Sequence, residues 1–235
     1  MGNIRDYLTA AKCSYPVWGE ENTIYYLDTR DGAPQIWEKD LHTGKSRKRT
    51  HNSDKISRMR FCRGQVYFAM DMDGDENEQI YSIGGDSGEV MPVVYHPRNV
   101  RSHLGDVRGS WVYYASNKRL RSIFDICRKN LENGKTDILI EGKDAVCLPL
   151  CISPDEGDPA VQQKNFNLQI CRFIVKNLLT GEEKKVSGTC SARWRTALYG
   201  LKTEAVFILS ATGSGNLKGS CSGTRKQASQ RRSMR

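Results

Sequence analysis

The stretch "DMDGDENEQIYSI", residues 71–83, carries Asp71, Asp73, Asp75, Glu76 and Glu78 ahead of a short alternating run. Clustered carboxylates are hard oxygen ligands, and the chemistry open to them is to hold a calcium ion. A calcium loop sets its ligands as D-x-D-x-D-G with a bidentate glutamate further on, and "DMDGDENE" matches that pattern only in part. The eight cysteines, Cys13, Cys62, Cys127, Cys147, Cys151, Cys171, Cys190 and Cys221, form no C-x-x-C pair. Cys147 and Cys151, the closest two, stand four apart within the apolar run "AVCLPLCIS". Buried free thiols account for them more simply than zinc or disulfides. His42, His51, His96 and His103 have no ligand spacing either. The sequence thus implies no metal and no cofactor.

The elements that would position these residues are strands. Helical periodicity is missing, and β-branched and aromatic runs alternate with Gly and Asp turns. Four segments align: "QIWEKDLHTGK" (35–45), "QIYSIGGDSGE" (79–89), "SIFDICRKNLENGK" (122–135) and "QICRFIVKNLLTGE" (169–182). Each closes on a glycine, Gly44, Gly88, Gly134 or Gly181, at spacings of 44, 46 and 47. Before them stand "TIYYLD" (23–28), "QVYFAM" (65–70) and "WVYYAS" (111–116), and earlier still "ISRMRF" (56–61), "VRSHLGDVR" (100–108) and "AVCLPLCIS" (145–153). A further short strand follows each glycine. Four strands in a repeat of about 45 residues is the arithmetic of a β-propeller blade.

The expectation is an all-β chain, a β-propeller of four-stranded antiparallel blades with about four blades and a partial fifth. Blades are placed over 14–201, at about 14–52, 53–97, 98–143 and 144–189 with a fragment at 190–209. Residues 210–235 are expected as a basic, Gly/Ser-rich disordered tail. The acidic stretch then becomes the turn between the second and third strands of blade two. Its counterpart in blade one is "DTRDGAPQIW" (28–37), where Asp caps its own backbone and Gly accepts positive φ. Trp37, Tyr81, Trp111 and Phe124 recur at related blade positions, which assigns them to packing between blades.

"TIYYLDTRDGAPQIWEKDLHTGK", "DMDGDENEQIYSI" and "ISPDEG" (152–157) resemble the N-terminal propeller of prolyl-oligopeptidase-family serine peptidases. The acylaminoacyl-peptidase and dipeptidyl-aminopeptidase branch is the nearest, and the Ser-Pro-Asp-x-Gly turn is shared with TolB-type propellers. The resemblance covers about residues 18–201. It fades in blade four, where "DPAVQQKNFN" (158–167) replaces the expected second strand. It implies a propeller without catalytic residues, capping a C-terminal α/β-hydrolase domain and admitting only small or unstructured peptides. It also implies a ring of seven or eight blades, beside which four and a fragment is incomplete and truncated. The family's nucleophile sits in a G-x-S-x-G elbow followed in chain order by Asp and His. Here "GSCSG" (219–223) has Cys221 at its centre and no His after it, so no catalytic residue is expected.

Residues 205–235 hold Lys218, Arg225, Lys226, Arg231, Arg232 and Arg235 and no acid, which leaves 30 basic against 27 acidic residues in 1–204. The net charge of +9 is therefore mostly a property of the C-terminal segment. The propeller shows no basic face interleaved with aromatics, so no nucleic-acid partner is expected. No apolar run is long enough to span a bilayer, and the N-terminus lacks a signal-peptide core, so the expected location is cytoplasmic, away from membranes. The change of texture after residue 202 suggests a reading frame that ends abnormally inside blade five. Open blade edges would then invite self-association.

Arg58, Arg60, Arg101, His103 and Arg108 fall on inner strands and are the candidate substrate-channel residues. One reading is a non-catalytic propeller fragment of such a peptidase, gating peptide substrates when joined to a hydrolase domain. The alternative is a stand-alone TolB-like propeller that binds a protein or peptide. A peptidase in its own right lacks its Ser-Asp-His set.

Overall fold

Successive residues of a strand point to opposite faces, and the middle strands of this chain are apolar on both. Within Gln65–Met70, Val66, Phe68 and Met70 join Leu27, Ile36, Ile56 and Met59 in one buried cluster. Tyr67 and Ala69, on the other face, join Leu104, Val107, Val112 and Tyr114 in a second. A sheet with two apolar faces is stable only between two other sheets. The computed structural model describes residues 11–84, 88–97, 99–143, 145–153, 157–165 and 171–185, and the strands at 197–200, 205–211 and 217–223. Those residues meet that requirement by stacking sheet after sheet.

The first sheet consists of β1 (Cys13–Trp18), β2 (Thr23–Asp28), β3 (Gln35–Asp40) and β4 (Ser46–Lys48). The second has β5 (Ile56–Cys62), β6 (Gln65–Met70), β7 (Gln79–Gly84) and β8 (Val90–Val94). The third has β9 (Ser102–Arg108), β10 (Trp111–Leu120), β11 (Ile123–Asn130) and β12 (Thr136–Ile140). The fourth has β13 (Ala145–Ile152), β14 (Pro159–Asn165), β15 (Cys171–Lys176) and β16 (Glu183–Lys185). Each is a four-stranded antiparallel meander in chain order, which is the blade expected from the repeat. A third cluster, with Ala115, Ile126, Ile140, Cys147, Val161 and Ile174, packs the third blade on the fourth. The first strands β1, β5, β9 and β13 are neighbours in series, so they form the inner edge of the stack.

The recurring glycine has a structural cause. Asp40 and Asn130 end third strands, Asn177 directly follows one, and each accepts two backbone N–H bonds on the side-chain oxygen, from residues two and three further on. The backbone N–H of Gly44, Gly134 and Gly181 then returns to that residue's carbonyl, at 2.8, 3.0 and 2.9 Å. This closes the turn only with the glycine in the left-handed region, at φ of 72°, 74° and 74°. In blade two Gly84 replaces the capping Asx, and Gly88 keeps its φ of 65°.

Two sequence expectations need correction. "DPAVQQKNFN" does hold the second strand of blade four: Pro159–Asn165 pairs antiparallel with β13 and β15, with Ala160, Val161 and Gln162 buried. Proline is tolerated there because it is the first residue of the strand. The C-terminal segment also carries a three-stranded sheet of β17 (Ala197–Gly200), β18 (Ala205–Ala211) and β19 (Leu217–Gly223). β19 falls inside the range expected as a disordered tail, because its backbone pairs with β18 along the whole of Ala205–Ala211. Residues 212–216 and 224–235 lie outside the described residues. "GSCSG" (219–223) is part of that strand. No helix among the described residues is long and apolar enough to cross a membrane.

Candidate ligand-binding cleft

Residues 71–78 form the loop from β6 to β7, as the repeat requires. Asp73, Gly74 and Glu76 all take positive φ, and Asp75 accepts the Asn77 N–H at 2.8 Å. The loop runs beside the link from blade two to blade three and the β10–β11 hairpin. Together they border an open cleft of about 360 Å³, lined by Asn77, Asn99, Arg101, Asn117, Arg121 and Phe124.

Asn117 builds the cleft. It is 7% exposed, and its Oδ1 accepts the Arg101 N–H at 2.7 Å while its Nδ2 donates to the Arg121 carbonyl at 2.9 Å. One buried amide thus fixes the backbone on both sides. Arg101 faces Glu76 across 3.7 Å, and the Glu76 side chain is 80% exposed. Beneath the cleft, Phe124 stacks on His103 with ring centroids 5.0 Å apart. The His103 Nδ1 meets Glu78 Oε2 at 2.7 Å. Burial pushes the Glu78 carboxyl up, but His103, Ser57 and Arg58 outweigh it and hold it below the usual glutamate range.

Of the five residues singled out from the sequence, Arg101 lines the cleft and His103 supports its floor. Arg58 and Arg60 lie on the inner strand β5 and serve as links. Arg58 Nη1 donates to the Leu104 carbonyl at 3.1 Å, and burial, with Arg60 nearby, lowers its pKa. Arg60 donates to the Met59 carbonyl at 2.9 Å and lies 3.5 Å from Asp106. Arg108 closes the far end of β9, about 20 Å from Arg101 by strand rise. Sequence reasoning missed Asn77, Asn99, Asn117 and Arg121. The usable signal was positional: Asn77, Asn99 and Arg121 sit in loops, and Asn117 near the end of β10, at the blade end where second strands finish and first strands begin.

The aromatic residues divide. Tyr81 stacks on Phe68 at 5.9 Å in the cluster between blades one and two, and Phe124 packs between blades three and four. Trp37 and Trp111 are instead covered by arginines of their own blades, Arg30 and Arg128, each 4.1 Å above the ring.

The blades and the cleft together define a β-propeller module with a polar cleft at one end. No protein-family model and no curated protein matches the sequence. Among solved structures, the chain is similar to TolB from Acinetobacter baumannii, at 15% identity and a TM-score of 0.60, over 88% of this chain and 53% of that one. It is also similar to prolyl oligopeptidase B from Galerina marginata, at 12% identity and a TM-score of 0.62, over 84% of this chain and 30% of that one. An oligogalacturonate lyase from Vibrio parahaemolyticus gives 13% identity and a TM-score of 0.62, over 92% of this chain and 67% of that one. The likeness is one of fold, and the chain spans about half of TolB and under a third of the peptidase.

Proposed function

We propose that the chain is a non-catalytic propeller that binds a peptide or an extended polypeptide segment, gating peptide substrates when joined to an α/β-hydrolase domain. The observation that carries this reading is the open cleft of about 360 Å³ at one end of the blades. Its size is in the range of small-ligand sites, suited to one or two residues of a peptide. The fold neighbour prolyl oligopeptidase B was solved with a 35mer substrate, which supports peptide as the ligand class. The likeness to TolB over 88% of this chain supports the alternative, a propeller that binds a protein on its own. Titrating the full chain into fluorescein-labelled peptides of graded length tests the first reading. Saturable binding that Asn117→Ala weakens is expected, and absence of binding at millimolar protein would overturn it.

On the same reading, strand edges without a partner among the described residues mediate self-association. β8 is such an edge, with Val90 and Met91 exposed. Unpaired backbone on an apolar edge invites another chain. Sedimentation velocity should show a coefficient that rises with concentration, and a constant monomer value would sink the idea.

A further inference from the structure

We propose that the cleft between blades two and three recognises a carboxylate, held by Arg101 and Arg121; this rests on the peptide-binding reading and names the group on the ligand. A carboxylate is all acceptor, and the cleft supplies donors: two guanidinium forks and the amide of Asn99, beside Asn77 and Asn117, whose amides are already held within the protein. The acids around the cleft are largely engaged. Glu78 is taken by His103 at 2.7 Å, Asp75 by the Asn77 N–H at 2.8 Å, and Asp125 by Arg119 at 2.7 Å. Glu76 is the one acid that reaches a cleft guanidinium among the described residues, at 3.7 Å and 80% exposed. An exposed pair at that distance holds weakly and yields to a better-placed acceptor.

Arg121 is exposed and has no ion-pair partner among the described residues. Its backbone is nonetheless fixed, because its carbonyl takes the Asn117 amide at 2.9 Å, while Arg101 is tied to the same side chain at 2.7 Å. Two cations are therefore anchored to one buried residue and left short of anionic partners. Phe124 adds a ring as apolar wall beside them.

The experiment is an anisotropy titration of the full chain with one labelled hexapeptide sequence in three forms. These are a free C-terminal acid, a C-terminal amide, and an amide with one internal residue changed to Glu. At least one carboxylate form should bind roughly tenfold tighter than the neutral amide, the worth of one hydrogen bond to a charged group. Preference for the free acid marks a chain terminus, and preference for the Glu form marks an acidic side chain. Arg121→Gln should remove that preference and Arg121→Lys should keep part of it. Lys118→Gln, an exposed cation outside the cleft, should change nothing. If all three forms bind alike and Arg121→Gln has no effect, the carboxylate assignment falls while peptide binding stands. If none binds, both fall.

Discussion

Burial pushes the Cys127 thiol up to about 12, and the neighbouring Asp125 carboxylate adds to the effect. The thiolate is the nucleophile in alkylation, so Cys127 should stay unmodified by iodoacetamide at pH 8 in the folded chain and react fully in guanidinium. Peptide mass mapping reads both. Asp125 itself shows how one position of the repeat can change chemistry while keeping its task. It stands where blades one and two carry Gln35 and Gln79, whose amides reach the Asp54 and Val100 carbonyls in the following links. Asp125 reaches the next link through the Gly142 N–H at 2.8 Å, and Arg119 clamps it with bonds of 2.8 and 2.7 Å. Burial raises its carboxyl, but Arg119 and Gly142 outweigh that and hold it below the ordinary value of 3.8. A carboxylate depressed in the folded state stabilises above its unfolded pKa and loses that contribution as pH falls through its folded pKa. Asp125→Asn should therefore lower Tm at pH 7 and flatten the loss of Tm below pH 4, both read by thermal melts. The repeated "Gln-Ile-aromatic" was visible in the sequence. That an aspartate with its own arginine replaces it in blade three was not, because Arg119 comes from the neighbouring strand β10.

At the scale of elements, the turn glycines were legible because a left-handed residue closing an Asx turn leaves a mark at fixed spacing. Gly134, at φ 74° with open space where a Cβ would stand, isolates the conformational cost from any steric clash. Gly134→Ala should lose about 1–2 kcal/mol, the penalty of a left-handed L-residue. Urea unfolding measures it, and an unchanged midpoint would mean that the turn relaxes. Most strands fell where alternation put them. β1 was harder to see, since Pro16 interrupts it, Tyr15 takes φ of 52°, and the register shifts between Ser14 and Val17. The cleft was not legible at all. Its residues come from loops and strand ends of blades two and three whose proximity is created by the stacking of those blades, and no spacing along the chain encodes that.

For the whole molecule, the question is how blades joined mainly by apolar faces behave as one unit. Stacked repeats touch only their neighbours, so stability is close to a sum of blades and interfaces. Asp106 departs from that pattern. Buried in β9, it accepts the Val107 N–H at 3.0 Å, receives the Ile152 N–H of blade four at 3.2 Å, and lies 3.5 Å from Arg60 of blade two. A single carboxylate therefore bridges three consecutive blades at the inner edge, where β5, β9 and β13 run side by side. Asp106→Ala removes the acceptor of the Val107 and Ile152 N–H groups and the acid beside Arg60, which should cost about 1–3 kcal/mol. The distribution of that loss is more informative than its size. If Asp106 couples the blades, amide exchange should accelerate in β13 and β14 while β2 and β3 keep wild-type protection, because local units then open independently. Equal acceleration in all four strands would show instead that the apolar clusters alone make the stack cooperative.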